Sequence, residues 1–381
     1  MPMLNRFLFD VVLPRNEICN LKSDQQQLLK TALDGGHLVY FGKRNMGKTS
    51  VVRSVVIEDF VKAEPKALVL VVDFLGASSM NDFNHRVRVA FEHSMSMLNP
   101  TGAFISNLTK AIKSIRPSMT TDSITGDLGF SLGIDHNVRE IPFQEILKQC
   151  AVYHEKFSKC LLVFDEFQEI ALVKGAEAAF RSCFQELPGD LPIIILGSKK
   201  HLLSRIFADP SSPLANWGGF LEASEISAEE YLAYANERFQ TSDQSIDLET
   251  CHYLKLRLQS NPECMNIVCF RLMRSEELLN KVLDRADVER CITKVVDERA
   301  SVYMEFLSHF SELERKFLSE IAMRSPVLKP HGKEFLSAIK ASTGSSGPML
   351  KKMLDQAVVY QDPNGITLAD PLLKEYLVRH N

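Results

Sequence analysis

Four short apolar runs punctuate the front of the chain: HLVYF (His37–Phe41), ALVLVVDF (Ala67–Phe74), CLLVFDEF (Cys160–Phe167) and PIIILGS (Pro192–Ser198). Runs without polar alternation predict strands buried on both faces, as in a parallel sheet covered by helices. The segments between them, such as GKTSVVRSVVIEDFVKA and AEAAFRSCFQEL, read as helices. The β-α-β order predicts an α/β domain. Polar turns and short alternating stretches in SMTTDSITGDLGFSLGID (Ser118–Asp135) predict a surface hairpin inserted into it, and FLEASEIS is a candidate further strand.

From Ala228 to about Leu307 the pattern changes to successive amphipathic helices, with Pro262 the single proline. The remainder reads as helix, helix, an STGSSG turn and a third helix, PMLKKMLDQA. Two strands around a DPNG turn follow in VVYQDPNGITLAD. Three helices and a hairpin in this order predict a winged helix. The expected segments are 1–227, carrying the 118–135 insert, then 228–307 and 308–381.

Composition narrows this reading. A chain of 381 residues, 45% hydrophobic and 24% charged, is expected to be a soluble protein of more than one domain. A net charge of −4 excludes a basic surface over the whole molecule, so nucleic-acid binding would require a local patch. The eight cysteines form no CxxC pair, and several sit in apolar company, as in KCLLVF. They read as reduced core thiols of a cytosolic protein. The apolar run of MPMLNRFLFDVVLPRNE is broken by Asp10 and lacks a small-residue cleavage site, unlike a signal peptide. ALVLVVDFLGA is too short to span a bilayer, so no membrane partner is expected.

The loop after the first strand carries the clearest chemistry. Gly42, Gly47, Lys48 and Thr49 satisfy GxxxxGK[ST], the pattern of a loop that cradles the phosphates of a nucleoside triphosphate. The glycines permit a tight turn and close approach. The backbone of Lys43, Arg44, Asn45 and Met46, continuing to Ser50, supplies inward N–H groups, and a helix N-terminus meets the same negative charge. Lys48 is placed for the β- and γ-phosphates, and the Thr49 hydroxyl for the shell of a Mg²⁺ ion.

The run LLVFDEFQEI ends a buried strand in Asp165 and Glu166. At the C-terminal edge of a parallel strand both carboxylates reach the crevice where open α/β sheets bind ligands. Asp165 suits the Mg²⁺ shell, and Glu166 suits a general base that activates water. At the end of PIIILGSKK, Ser198 is either a sensor bonded to the γ-phosphate or attacking water, or an ordinary strand end before solvent-facing Lys199 and Lys200. Asp73 reads as a further strand-end acid or a helix cap. Gln168 either orients Glu166 or water, or lies on the surface.

Together these strings resemble the archaeal-type ATPase family, a branch of the P-loop ATPases close to AAA+ and STAND signalling ATPases. The matching pieces are YFGKRNMGKTSVV, LLVFDEFQEI, IIILGSKKHLLSRIF with SSPLANWGG, SNPECMNIVCF and LADPLLKEYL, spread over nearly the whole chain. FDEFQ and GSKKHLLSRIF point to this family in particular; the first two pieces are shared widely among P-loop enzymes. The resemblance implies an ATPase core, a helical lid and a C-terminal winged helix. It implies ATP and Mg²⁺ as ligands, with Lys48, Thr49, Asp165, Glu166 and Ser198 in the roles above and the Asn261–Pro262 turn near the nucleotide. Two departures stand out. LPRNEICNL (Leu13–Leu21) replaces a Gly-Arg-Glu element that holds the adenine end, and QSNP replaces Gly-Gly before Asn-Pro. No arginine has a defensible claim to be a finger, Arg205 and Arg238 being mere candidates, so a finger supplied by a neighbouring copy in a homo-oligomer would leave the monomer slow.

Between Ser301 and Asn381, ten Lys and Arg face nine Asp and Glu. Lys340, Lys351 and Lys352 could make one small basic patch for DNA, while Asp362 lies in the wing. A protein partner or an intramolecular role is the expectation placed ahead of DNA binding. The leading reading is an ATPase that moves its lid and winged helix. The alternatives are a nucleotide-dependent switch with slow hydrolysis and a DNA-binding regulator.

Overall fold

The computed structural model describes residues 6–98, 102, 105–106, 115–121, 128–134 and 140–380. The front of the chain carries strands β1 (His37–Phe41), β2 (Leu68–Asp73), β3 (Ile115–Thr121), β4 (Leu128–Ile134), β5 (Cys160–Asp165), β6 (Ile193–Gly197) and β7 (Gly219–Glu222). Five of them form one parallel sheet in the order β2-β5-β6-β1-β7. The architecture is therefore α/β, a parallel sheet covered by helices, followed by a helical segment and then by three helices and a β-hairpin in the order of a winged helix. Three of the four apolar runs are the inner strands β5, β6 and β1; the fourth, ALVLVVDF, forms the edge strand β2, and FLEASEIS contributes to the opposite edge, β7.

Period-two alternation divides each strand between two cores. Leu38, Tyr40, Leu161, Val163, Ile194 and Leu196 face one side; Val39, Leu162, Phe164, Ile193 and Ile195 face the other. The second side is rich in phenylalanine, with the Phe74 and Phe164 rings stacked at 5.8 Å and Phe143 and Phe180 at 4.3 Å. The first continues without a break into the helical segment at Tyr231 and Ile292 and into the C-terminal segment at Phe317 and Leu372. One shared core thus binds the lid and winged helix to the sheet.

The predicted hairpin is β3 paired antiparallel with β4. It begins ahead of Ser118, with Pro117 opposite Leu132, because a two-stranded ribbon has free edges that tolerate proline. Residues 122–127 and 135 of that expected insert lie outside the described residues.

The lid comprises Ala228–Phe239, Leu248–Arg257, Pro262–Met273, Arg285–Glu298 and Ala300–Ser308, with a short parallel pair, β8 (Ser245–Ile246) and β9 (Val282–Leu283), too brief to read from periodicity. Helices Glu312–Arg324, Lys333–Ile339 and Thr343–Asp355 precede the hairpin β10 (Val359–Asp362) and β11 (Gly365–Leu368); Pro371–Arg379 ends the chain. The STGSSG stretch is thus not a turn but largely the first turns of a helix. Helix starts leave their N–H groups free of intrahelical partners, so serine and glycine are tolerated there. Tertiary packing then holds the segment, with Ser346 fully buried and its Oγ 2.7 Å from His331 Nδ1. Ion pairs Arg257–Glu375, at 2.5 Å, and Arg379–Glu289, at 3.6 Å, tie the last helix to the lid. No helix among the described residues is long and apolar enough to cross a membrane.

Candidate functional site

The segment between β1 and the helix starting at Lys48 turns tightly, with Asn45 and Gly47 in left-handed conformations at φ 63° and 80°. At Gly47 a Cβ would meet open space, so glycine is favoured there for its backbone alone. Lys48 is buried, and its Nζ donates to Gly42 O at 3.0 Å and Lys43 O at 2.7 Å. Burial pushes the Lys48 ammonium down to about 8, against the pull of Glu166 and Asp165. The loop carbonyls thus satisfy the buried ammonium.

Thr49 Oγ1 donates to Asp165 Oδ2 at 2.8 Å, joining the loop to the end of β5. Register sets Asp73 of β2 beside Asp165. Burial raises the Asp165 carboxyl; the Thr49 hydrogen bond opposes this, and Glu166 and Asp73 push it further up. Asp73 Oδ1 accepts the Leu75 N–H at 2.8 Å, while Ser79 accepts the Asp82 N–H, so Asp73 is a turn acceptor at the cleft and not the helix cap. Among the described residues no three His, Cys, Asp or Glu side chains are grouped to hold a metal ion. Asp165 and the Thr49 hydroxyl bonded to it offer the hard oxygen donors that suit a divalent cation.

Glu166 has φ 49°, a strained value for a residue other than glycine and one often associated with functional sites. Its Oε2 accepts from Ser198 Oγ at 2.9 Å and from the Gln168 amide. Gln168 is fully buried, so the surface reading is excluded and the orienting one kept. Lys199 pairs with Glu169 at 2.9 Å and Lys200 with Glu222 at 2.8 Å, so neither lysine points freely into solvent. At Gly197, a Cβ would lie 2.4 Å from Gln168 Oε1 and 2.7 Å from Leu203 Cδ1. Gly197→Ala is therefore expected to displace Gln168 and free Glu166, at a stability cost of about 1–3 kcal/mol. Thermal unfolding beside single-turnover hydrolysis checks this; an unchanged rate would show that Gln168 does not position the carboxylate.

A cleft of about 480 Å³ opens above the loop. Its walls are the loop with Thr49, Ser50 and Arg53, the acids Asp73, Asp165 and Glu166, the strap Leu8–Leu13, and Pro262, Glu263 and Asn266 of the lid. The strap belongs to the N-terminal apolar run that does not read as a signal peptide; of Leu13–Leu21, the stretch that replaces the Gly-Arg-Glu element, Leu13 lines this cleft. Beyond Leu13 the chain instead locks to the loop helix, Arg15 pairing with Asp59 at 2.6 Å. Met46 is buried, leaving its backbone for a ligand. Ser50 Oγ is engaged by the Leu13 N–H at 3.0 Å.

The lid touches the loop directly. Asn261 caps its helix and donates to Arg44 O at 3.4 Å; Glu263 accepts from the Asn45 amide and, at 3.4 Å, from the Asp10 N–H. Burial, with Asp10 adding to it, raises the Glu263 carboxyl from 4.5 to about 7. The folded chain then binds more protons than the unfolded chain between those values, so this group's contribution to stability falls as pH rises from 4.5 to about 7. Glu263→Gln is expected to flatten that part of the slope in unfolding measured against pH; an identical slope would contradict it.

Of the finger candidates, Arg238 is buried, paired with Glu17 at 2.5 Å and stacked 3.5 Å over Tyr234, which removes it from any neighbour's site. Arg205 donates to Ala171 O at 2.9 Å and is half-exposed.

No protein-family model matches the chain, and neither does any curated protein. Solved structures do. The Walker-type ATPase of Pyrococcus abyssi aligns over 96% of this chain and 97% of its own, at 15% identity and TM-score 0.64. The ORC2 protein of Aeropyrum pernix in its ADPNP–ADP complexes aligns over 98% and 97%, at 14% identity and TM-score 0.55. Its ADP form aligns over 98% and 96%, at 13% identity and TM-score 0.52. At these identities the likeness is one of fold, and it extends through the whole chain.

Proposed function

We propose that this chain binds ATP with Mg²⁺, hydrolyses it, and passes the nucleotide state to its lid and winged helix. One observation carries the reading: Lys48, the Thr49–Asp165 pair and Glu166, which accepts a hydrogen bond from Ser198 behind it, stand at the wall of a single cleft. The fold shared with a Walker-type ATPase and with a protein bound to ADPNP and ADP supports it.

The loop N–H groups and Lys48 bind and orient the phosphates, Lys48 leaving its two carbonyls for phosphate oxygens. Thr49 and Asp165 would hold Mg²⁺, which when bound screens charge on the β- and γ-phosphates. Glu166 takes the proton of the attacking water at its carboxylate, after exchanging the Ser198 hydrogen bond for that water. Ser198 is then free for the γ-phosphate, which makes it the sensor of this arrangement. The apolar strap and Pro262 flank the base end and exclude water.

Coupling rests on contacts that join the moving parts to the site. Glu263 and Asn261 link the lid to the loop. In the winged helix, Tyr360 lies 5.4 Å from Lys43 Nζ and bonds Glu222 at 3.3 Å, and Asp355 pairs with His201 at 3.1 Å. The hairpin thus sits beside the loop and the Ser198 strand. Of the three lysines that could make a basic patch, Lys352 is paired with Glu314 of its own C-terminal segment at 2.7 Å, which leaves less free positive charge for DNA.

Phosphate release from ATP–Mg²⁺, measured against protein concentration with the mass in solution, tests the reading. Release per chain that rises on assembly supports a finger from a second copy. Tight nucleotide retention with little release supports the slow switch, which the double occupation of Glu166 Oε2 favours. Absence of both binding and release would overturn the proposal.

A further inference from the structure

We propose that Arg53 is a nucleotide-binding residue that grips the α-phosphate end of the polyphosphate chain; this rests on the ATP-binding reading. Arg53 follows Thr49 by one helical turn, so the two share a face, and with Ser50 they line the same cleft. A rise of 1.5 Å per residue sets Arg53 about 6 Å beyond Thr49, away from the loop. With Thr49 at the Asp165 end of the site, the next anionic group outward along a bound nucleotide is the α-phosphate.

Two independent features single this arginine out. Its Nε is shut off from water and has no hydrogen-bond partner, and among the described residues no carboxylate pairs with the guanidinium. With Nε shut away and no carboxylate beside it, the guanidinium has its charge to offer an anion in the cleft that Arg53 lines. The second feature is the π turn Val52–Val56, in which Arg53 lies. Turns of this kind are rare and occur mostly at functional sites, because the extra residue re-aims the side chains. The chain brackets the position as well. Leu13 N–H binds Ser50 Oγ at 3.0 Å on one side, and Arg15 binds Val55 O at 3.1 Å on the other. The strap is thereby pinned around Arg53, leaving its guanidinium on the wall of the cleft.

Other arginines are accounted for differently. Arg44 belongs to the phosphate loop, Arg15 is paired with Asp59, and Arg238 is buried against Glu17. A contact to the α-phosphate is made equally with ATP and ADP. It therefore adds affinity for both and nothing specific to the transition state.

The test is equilibrium titration of ATP, ADP and adenosine against the full chain and its Arg53→Ala, Arg53→Gln and Arg53→Lys variants. Arg53→Ala is expected to weaken ATP and ADP by about tenfold or more, the scale of one lost hydrogen bond to a charged group. Adenosine binding should stay at the wild-type level, and Arg53→Lys should recover part of the ATP and ADP loss at low salt. Arg53→Gln keeps the length of the side chain and is read in place of Arg53→Ala if that variant unfolds. Unchanged ATP and ADP affinity, or an equal loss for adenosine, overturns the assignment. A wild-type chain that binds neither nucleotide overturns the ATP-binding reading itself, and this one with it.

Discussion

Glu166→Gln is expected to lower the rate of ATP hydrolysis by about 10²–10⁴-fold, the usual contribution of a general base. The substitution keeps the size of the side chain and an oxygen that can accept from Ser198, so the fold at the end of β5 should persist. The amide cannot take a proton from water. Because Glu166 is also a negative neighbour that helps raise the Asp165 carboxyl, its loss makes Asp165 easier to ionise. Nucleotide binding should therefore be kept or strengthened while turnover collapses. Single-turnover hydrolysis and nucleotide retention, measured on the same preparation, check both halves. An unchanged rate would remove Glu166 from the chemistry and leave Asp165, tied to Thr49, as the remaining strand-end acid.

Lys48→Ala is expected to act on binding. In the free chain the ammonium satisfies the carbonyls of Gly42 and Lys43. With nucleotide present it would make charge-assisted hydrogen bonds to two phosphates, each worth about 1.5–3 kcal/mol, so affinity should fall by about two orders of magnitude or more. The pH dependence gives a second readout. Burial holds the Lys48 ammonium near 8, so above that value the free wild-type chain loses the charge that attracts phosphate. Wild-type affinity should weaken as pH rises through 8, whereas the alanine variant should lack that component. Titration calorimetry across this range would show it, and equal affinities for the two proteins would place the phosphates elsewhere.

Most of the sheet was legible in the sequence because a strand buried on both faces needs an unbroken apolar run, as β5, β6 and β1 have, and the edge strand β2 carries one as well. The phosphate loop was legible because its function depends on backbone turns and adjacent residues, which a short string encodes. For the same reason Asp165 and Glu166 announced themselves at the end of a buried strand. The STGSSG segment was misread because local propensity there favours a turn, whereas the helix it begins is held by tertiary packing, including the buried Ser346–His331 contact.

The rest of the site depended on contacts between residues far apart in the chain. Glu263 reads as one more solvated helix charge until packing brings it to Asn45 and buries it. Arg53 reads as part of a polar helix face until the strap closes over its helix and its Nε loses water. Arg238 looked as eligible for a finger as Arg205, and burial against Glu17 removed it. Short-range pattern determines which segments are strands and where phosphates are cradled, since those properties reside in consecutive residues. Desolvation and the pairing of charges arise only when distant segments meet, and it is in the folded chain that the cleft acquires its strap, its lid carboxylate and its winged-helix neighbour.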